Sequence, residues 1–195
     1  MIARQTGKAV RIFLILMVIT GLIYPLLVSG LGLLLFPHQA RGSIIYKNDQ
    51  AVGSSLIGQN YTSEKYFHGR PSMAGTKGYD GTASGGSNLG PTNKKLLERI
   101  TGEVKDFRKE NDNNAKDLVP SDMVTASASG LDPDITPEGA YAQVNRVALA
   151  RKMPAAEVKK LVSKHIEKRQ FGILGESRVN VLQLNLALDM EDETR

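Results

Sequence analysis

Ile12 to Phe36 is a run of 25 residues with no side chain charged at neutral pH. A helix of that length is roughly 37 Å long, enough to cross a hydrocarbon core of about 30 Å with some tilt. Everything after it is polar and mixed. The chain therefore reads as a membrane anchor carrying one hydrophilic domain. The competing reading is a cleaved secretory leader, whose apolar region runs about 7–15 residues and ends at small residues. Here the run is longer, and it exits through Phe36-Pro37-His38-Gln39-Ala40, where His38 is too bulky for a cleavage site. A retained anchor is expected.

Arg4, Lys8 and Arg11 crowd the short N-terminal tail, whereas Arg41 and Lys47 alone follow closely on the other side. Cationic flanks stay on the cytoplasmic face. The expected plan is a cytoplasmic tail at 1–11, a transmembrane helix at 12–36 and an extracytoplasmic domain at 37–195. Within the helix, Gly21, Pro25, Ser29 and Gly32 recur at spacings of four, four and three, which is one face. Small residues let another helix approach closely, so this face is a candidate partner-helix surface. Pro25 removes one backbone donor and is expected to kink the helix near its middle.

The remaining 159 residues suffice for a single domain with its own core. Without Arg4, Lys8 and Arg11 the chain has 22 basic residues against 20 acidic, and no basic stripe with interleaved aromatics. Nucleic acid is not an expected partner. There is no cysteine, so disulfides and thiolate metal sites are excluded.

The first half of the domain reads as short strands and loops, with strands expected at Ser43–Tyr46 and Val52–Ile57. From Gly69 to Pro91 the chain is dense in Gly, Ser, Thr and Asn, a loop too long for a compact domain unless it has a role. The second half reads as helical. Leu96, Ile100, Val104 and Phe107, widened by Leu97, predict a helix over 92–109, capped by Thr92 or Asn93 and stopped by Asn111-Asp112-Asn113-Asn114. Thr136-Pro137 predicts a second helix start, with Tyr141, Val144 and Ala148 on its apolar face. Pro154 opens a third, patterned by Val158, Leu161, Val162, His165 and Ile166. Residues 179–188 alternate Leu with Gln and Asn like a strand but have the composition of a helix capped by Asn180; a buried helix is the preferred reading. The fold class is α+β.

Catalytic constellations are thin. Of three histidines, His38 abuts the anchor, and His165 falls on an apolar helix side, where a structural role is expected. His68 has no acid or nucleophile beside it in sequence. No HExxH pair, GxSxG elbow or Gly-Lys-Ser/Thr phosphate loop occurs. Asp132-Pro133-Asp134 reads as a turn, since a Ca²⁺ site needs 6–8 oxygens at regular spacing. Ser84-Gly85-Gly86-Ser87-Asn88 is the one stretch with a chemical alternative. Glycine N–H groups ahead of a helix can cradle a phosphate, and the Ser-Gly-Gly core resembles that of the ATP-binding-cassette signature. A structural loop is the preferred reading.

Several blocks together resemble the C subunit of the bacterial Kdp potassium-transporting P-type ATPase, over nearly the whole chain. They are Gly53-Ser54-Ser55-Leu56-Ile57-Gly58-Gln59, Phe67-His68-Gly69-Arg70-Pro71-Ser72, Ser84 through Asn93, Val119 through Ser127 with Gly130-Leu131-Asp132-Pro133, Gln143-Val144-Asn145-Arg146-Val147-Ala148 and Leu174 through Leu182. Ala128, where the family pattern has Gly, and Ser177, where it has Pro, depart from it. The resemblance implies an accessory, non-catalytic subunit that stabilises a high-affinity K⁺ uptake complex. Its partners would be a channel-like K⁺-binding subunit and a P-type ATP-hydrolysing subunit. It also implies an alternative, a catalytic chaperone that raises the ATP affinity of the hydrolysing subunit through Ser84–Asn88. An extracytoplasmic domain conflicts with that alternative, because it would not meet cytoplasmic ATP. No cofactor is expected for the chain alone.

Overall fold

A computed structural model describes residues 2–112 and 117–193. The chain forms two compact units that divide after Val52.

The first unit is dominated by one long helix, α1 at Ile2–Val18 running through a π-helical turn at Ile19–Ile23 into α2 at Tyr24–Leu35. The stretch Gln5–Leu35 is long and apolar enough to cross a membrane by length and composition. The expected disturbance at Pro25 takes the form of that π turn. Proline has no N–H, and its ring clashes with the carbonyl four residues back. The helix widens just ahead of it, with the Tyr24 N–H reaching the Ile19 carbonyl. The Thr20 hydroxyl donates back to the Leu16 carbonyl at 2.8 Å, so its polar group stays satisfied within the helix. A short α3, Pro37–Ala40, is followed by a two-stranded sheet of β1, Ile44–Lys47, and β2, Gln50–Ser54. β2 starts and ends earlier than the sequence pattern indicates. The reason is the tight turn at Asn48 and Asp49, both at positive φ (51° and 60°), which matches the twist of a two-residue hairpin.

The second unit is α+β, with its helices concentrated in the C-terminal half. Between Ser54 and α4 the chain has no helix or strand. α4 spans Lys94–Glu110, and the Asn93 side chain accepts the Lys95 N–H at its start. Its stop falls at Asn111, whose amide returns to the Phe107 carbonyl at 2.9 Å; Asn113 and Asn114 lie outside the described residues. Phe107 is the buried member of its apolar face, while Leu97, expected to widen that stripe, is exposed.

β3, Asp134–Ile135, leads into α5, Pro137–Arg151, whose first turn is held by the Thr136 hydroxyl accepting the Gly139 N–H at 3.0 Å. α6 covers Ala155–Lys164. The apolar pattern runs on through His165 and Ile166, but the helix does not: His165 caps it and Ile166 opens β4, Ile166–Glu167. β5, Arg178–Asn180, completes an antiparallel sheet in the order β3-β5-β4, pairing Ile135 and Ile166 with opposite sides of Val179.

α7 begins directly at Val181 and runs to Glu193. The two readings of 179–188 are thus divided at Asn180. Its backbone ends the strand, and its side-chain oxygen accepts the Gln183 N–H at 3.1 Å, capping the helix. Val144, Val147, Val158, Val162, Val179, Leu184 and Leu188 fill the core between α5, α6, α7 and the sheet. Leu184 and Leu188 are fully buried. Truncating either to Ala would cost about 2–5 kcal/mol.

Candidate functional site

The glycine-rich loop is held by its own fold. The Gly85 N–H donates to the Ser129 carbonyl at 2.9 Å, and the Ser84 hydroxyl reaches the same oxygen at 2.9 Å. A side chain on Gly86 would press within 3.0 Å of the Ala128 carbonyl oxygen. Gly130 lies at φ +67°, and a Cβ there would come within 2.7 Å of the Ala74 nitrogen and the Gly85 oxygen. Ser72 ties Gly130 to the loop at Tyr79: its hydroxyl donates to the Gly130 carbonyl at 2.6 Å and accepts the Tyr79 N–H at 2.7 Å. Ser84–Asn88 and 127–130 therefore form one interlocked substructure. Gly86, Ser87 and Asn88 make no hydrogen bond among the described residues, and Asn88 sits at φ 52°.

Beside this knot lies a cavity of about 250 Å³ lined by Arg70, Lys77, Tyr79, Arg99 and Glu103 among others. Arg70 pairs with Asp132 at 2.8 Å, which gives the Asp-Pro-Asp turn its anchor. Asp134 answers Arg178 at 3.1 Å. Burial pushes the Tyr79 phenol up to about 12, with Asp132 adding to the effect, so it stays a neutral donor to the Arg70 carbonyl at 2.6 Å. Burial also raises the Glu103 carboxyl, partly offset by Arg99. Among the described residues no group of three or more His, Asp or Glu side chains is placed to hold a metal.

His68 gains in space the acid it lacks in sequence. Its Nδ1 lies 3.6 Å from a Glu110 carboxylate oxygen, while Nε2 faces the Ser63 carbonyl at 3.2 Å and Arg146 at 3.5 Å. Burial, then Arg146, lowers its pKa; Ser63 and Glu110 oppose them. His165 Nδ1 lies 2.9 Å from the Leu161 carbonyl at the end of α6, a capping contact.

The strongest polar cluster is one that motif reading did not single out as a unit. Residues 64–68 leave a turn closed by the Tyr66 N–H on the Ser63 carbonyl at 3.0 Å and have no strand partner, and three side chains bond their backbone instead. Arg146 donates to the carbonyls of Glu64 and Tyr66 at 2.6 and 3.0 Å. Gln143 accepts the His68 N–H at 2.8 Å and donates to the His68 carbonyl at 3.2 Å. Asn185 accepts the Phe67 N–H at 2.8 Å and returns a bond to the Phe67 carbonyl at 2.9 Å. Arg146 also bonds Gln143 and Asn111. The sequence signal was present: Gln and Arg three apart on a helix otherwise buried along that face.

Gly21, Pro25, Ser29 and Gly32 all lie on the exposed surface of the apolar helix, except that Gly32 is partly covered. A Cβ on Gly21 or Gly32 would meet nothing within 4 Å.

One apolar helix of membrane-spanning length among the described residues, followed by an α+β domain that ties its motif residues together internally, is the arrangement consistent with a single-pass membrane subunit. The family model described as "KdpC: K+-transporting ATPase, c chain" matches residues 6–190. The chain is 53% identical over 178 residues to the potassium-transporting ATPase KdpC subunit of Polynucleobacter asymbioticus, covering 91% of this chain and 94% of that one. It is 56% identical over 174 residues to the same subunit of Gemmatimonas aurantiaca, covering 89% and 86%. Against the Mycobacterium tuberculosis subunit it is 51% identical over 186 residues, covering 95% and 98%. The chain belongs to the KdpC family, the c chain of K⁺-transporting ATPases.

Proposed function

We propose that this chain is the accessory, non-catalytic subunit of a Kdp-type K⁺ uptake complex and stabilises the union of a channel-like subunit with an ATP-hydrolysing one. Its tail at 1–11 is cytoplasmic, 12–36 spans the bacterial plasma membrane and the domain from residue 37 lies outside. The observation that carries this reading is the family match, which spans residues 6–190 and so takes in both the apolar helix and the domain. Anchor and domain thus belong to one subunit type. The inward commitment of Ser84 and Gly85 to Ser129 supports a structural role for the glycine-rich loop.

Leu149 is 83% exposed, which makes it a suitable position for a topology probe. Leu149→Cys should react with a membrane-impermeant maleimide in intact cells, the chain having no other cysteine. Labelling only after lysis would place the domain inside and overturn this topology.

The catalytic-chaperone alternative is favoured by the unbonded state of Gly86, Ser87 and Asn88. Ser87→Ala with Asn88→Ala separates the two readings. A structural loop predicts an unchanged ATP requirement in complexes that assemble. A phosphate cradle would lose bonds to charge worth roughly 1.5–3 kcal/mol each and need about tenfold more ATP.

A further inference from the structure

Between β4 and β5 the chain projects a small apolar finger. Phe171 is 91% exposed, Ile173 77% and Leu174 53%. These side chains contribute nothing to the core of their own domain. The finger is nonetheless built. Gln170 and Leu174 exchange both backbone bonds at 2.9 Å, and the Ile173 and Gly172 N–H groups close onto Gln170 and Arg169 at 3.2 and 3.1 Å. An Arg169–Glu176 ion pair braces the base, and Arg178–Glu167 at 2.8 Å holds the strands below it. Phe171 itself sits at φ 54°, a conformation that suits glycine and costs a bulky residue of this kind strain. An exposed ring in a strained, hydrogen-bonded turn has no account within the fold.

We infer that this finger is a docking element, with Phe171 and Ile173 entering an apolar concavity on the extramembrane surface of another subunit of the complex. The inference rests on the assembly role proposed above. Two observations favour a protein over lipid. A fluid acyl layer accepts an apolar tip of any shape and gives no reason to fix a strained backbone, whereas a shaped pocket does. A rigid anchor also loses little entropy on binding. Lipid insertion is further helped by unpaired basic residues, each worth about 1 kcal/mol near an anionic surface. Here Arg169 and Arg178 are matched by Glu176 and Glu167, which leaves Lys168 without an ion pair among the described residues. The partner's rim is accordingly expected to place a carboxylate opposite Lys168.

The test uses the full complex in its membrane. Replacing Phe171 with photoreactive benzoylphenylalanine should give, on irradiation, a covalent adduct with another protein subunit. An adduct with lipid alone, or none while the chain still co-purifies, overturns the finger and leaves the assembly role standing. A wild-type chain that fails to co-purify at all overturns both. A second pair of variants removes folding as an explanation. Phe171→Gly relieves the left-handed strain, so the isolated full chain should unfold at the same or a higher temperature. Combined with Ile173→Ser, it should still lower retention in the complex about tenfold. Undiminished retention would refute the proposal.

Discussion

Asn185 pairs both ends of its side-chain amide with the backbone of Phe67, accepting its N–H at 2.8 Å and donating to its carbonyl at 2.9 Å. Both residues are almost wholly buried. A helix side chain thus takes the part of a neighbouring strand. A buried backbone group without a partner costs about 1–3 kcal/mol. Asn185→Leu is expected to destabilise the chain by about 2–4 kcal/mol, and Asn185→Asp, which keeps the acceptor but sets a buried carboxylate oxygen against the Phe67 carbonyl, by at least as much at neutral pH. Denaturant unfolding of the purified full chain measures it, and losses under about 1 kcal/mol for both variants would contradict the pairing.

Gly130→Ala tests the interlocked loops. The left-handed φ and the contacts at 2.7 Å leave no room for a methyl group. A loss of about 2–4 kcal/mol is expected. Gly81→Ala is the control, since a Cβ there meets nothing within 4 Å. If the two variants unfold together, the loops do not interlock as described.

His68 makes stability depend on pH. Its pKa is held below the ordinary 6.5 by burial and by Arg146. As pH falls below about 6.5, the unfolded chain takes up a proton that the folded ring refuses until lower pH. Folding is therefore weakened by acid across that window, and stability rises with pH through it. The raised carboxyls of Glu103 and Asp134 have the opposite sign and act at lower pH, where the folded state binds their protons first. Melting temperatures at about pH 5.5 and 7.5 should differ less in His68→Gln than in the parent chain. An identical difference would remove His68 from the account.

The apolar helix has a direct assay. Gly21→Leu with Ser29→Leu should reduce co-purification with the complex, because bulky side chains hold helices apart. Leu22→Ala with Leu26→Ala, on other faces, should not. Matching behaviour of the two pairs would refute the small-residue face.

The long apolar helix and the starts of α4 and α5 were legible because they rest on local chemistry: an uncharged run, Asn93 as a cap, and Thr136 with Pro137. The α6 boundary was less legible, since the apolar period continued past the last helical hydrogen bond into β4. The glycine-rich loop read as structural with a ligand cradle left open beside it, because its partner segment, 127–130, lies about 45 residues away in sequence and nothing local announces it. The Arg146, Gln143 and Asn185 ladder was hidden for the same reason. Its acceptors are backbone atoms, which carry no residue-type signature. The finger escaped notice because exposure, not composition, makes Phe171 and Ile173 unusual.

Asn180 closes β5 and caps α7 with no residue between them. The joint has no slack. A load applied at the tip of the β4–β5 excursion passes along β5 and straight into a helix whose Leu184 and Leu188 are wedged in the core. The domain can then behave as a single stiff lever, so that a grip on its tip is a grip on the whole body, and inserting a flexible residue pair after Asn180 would uncouple the two.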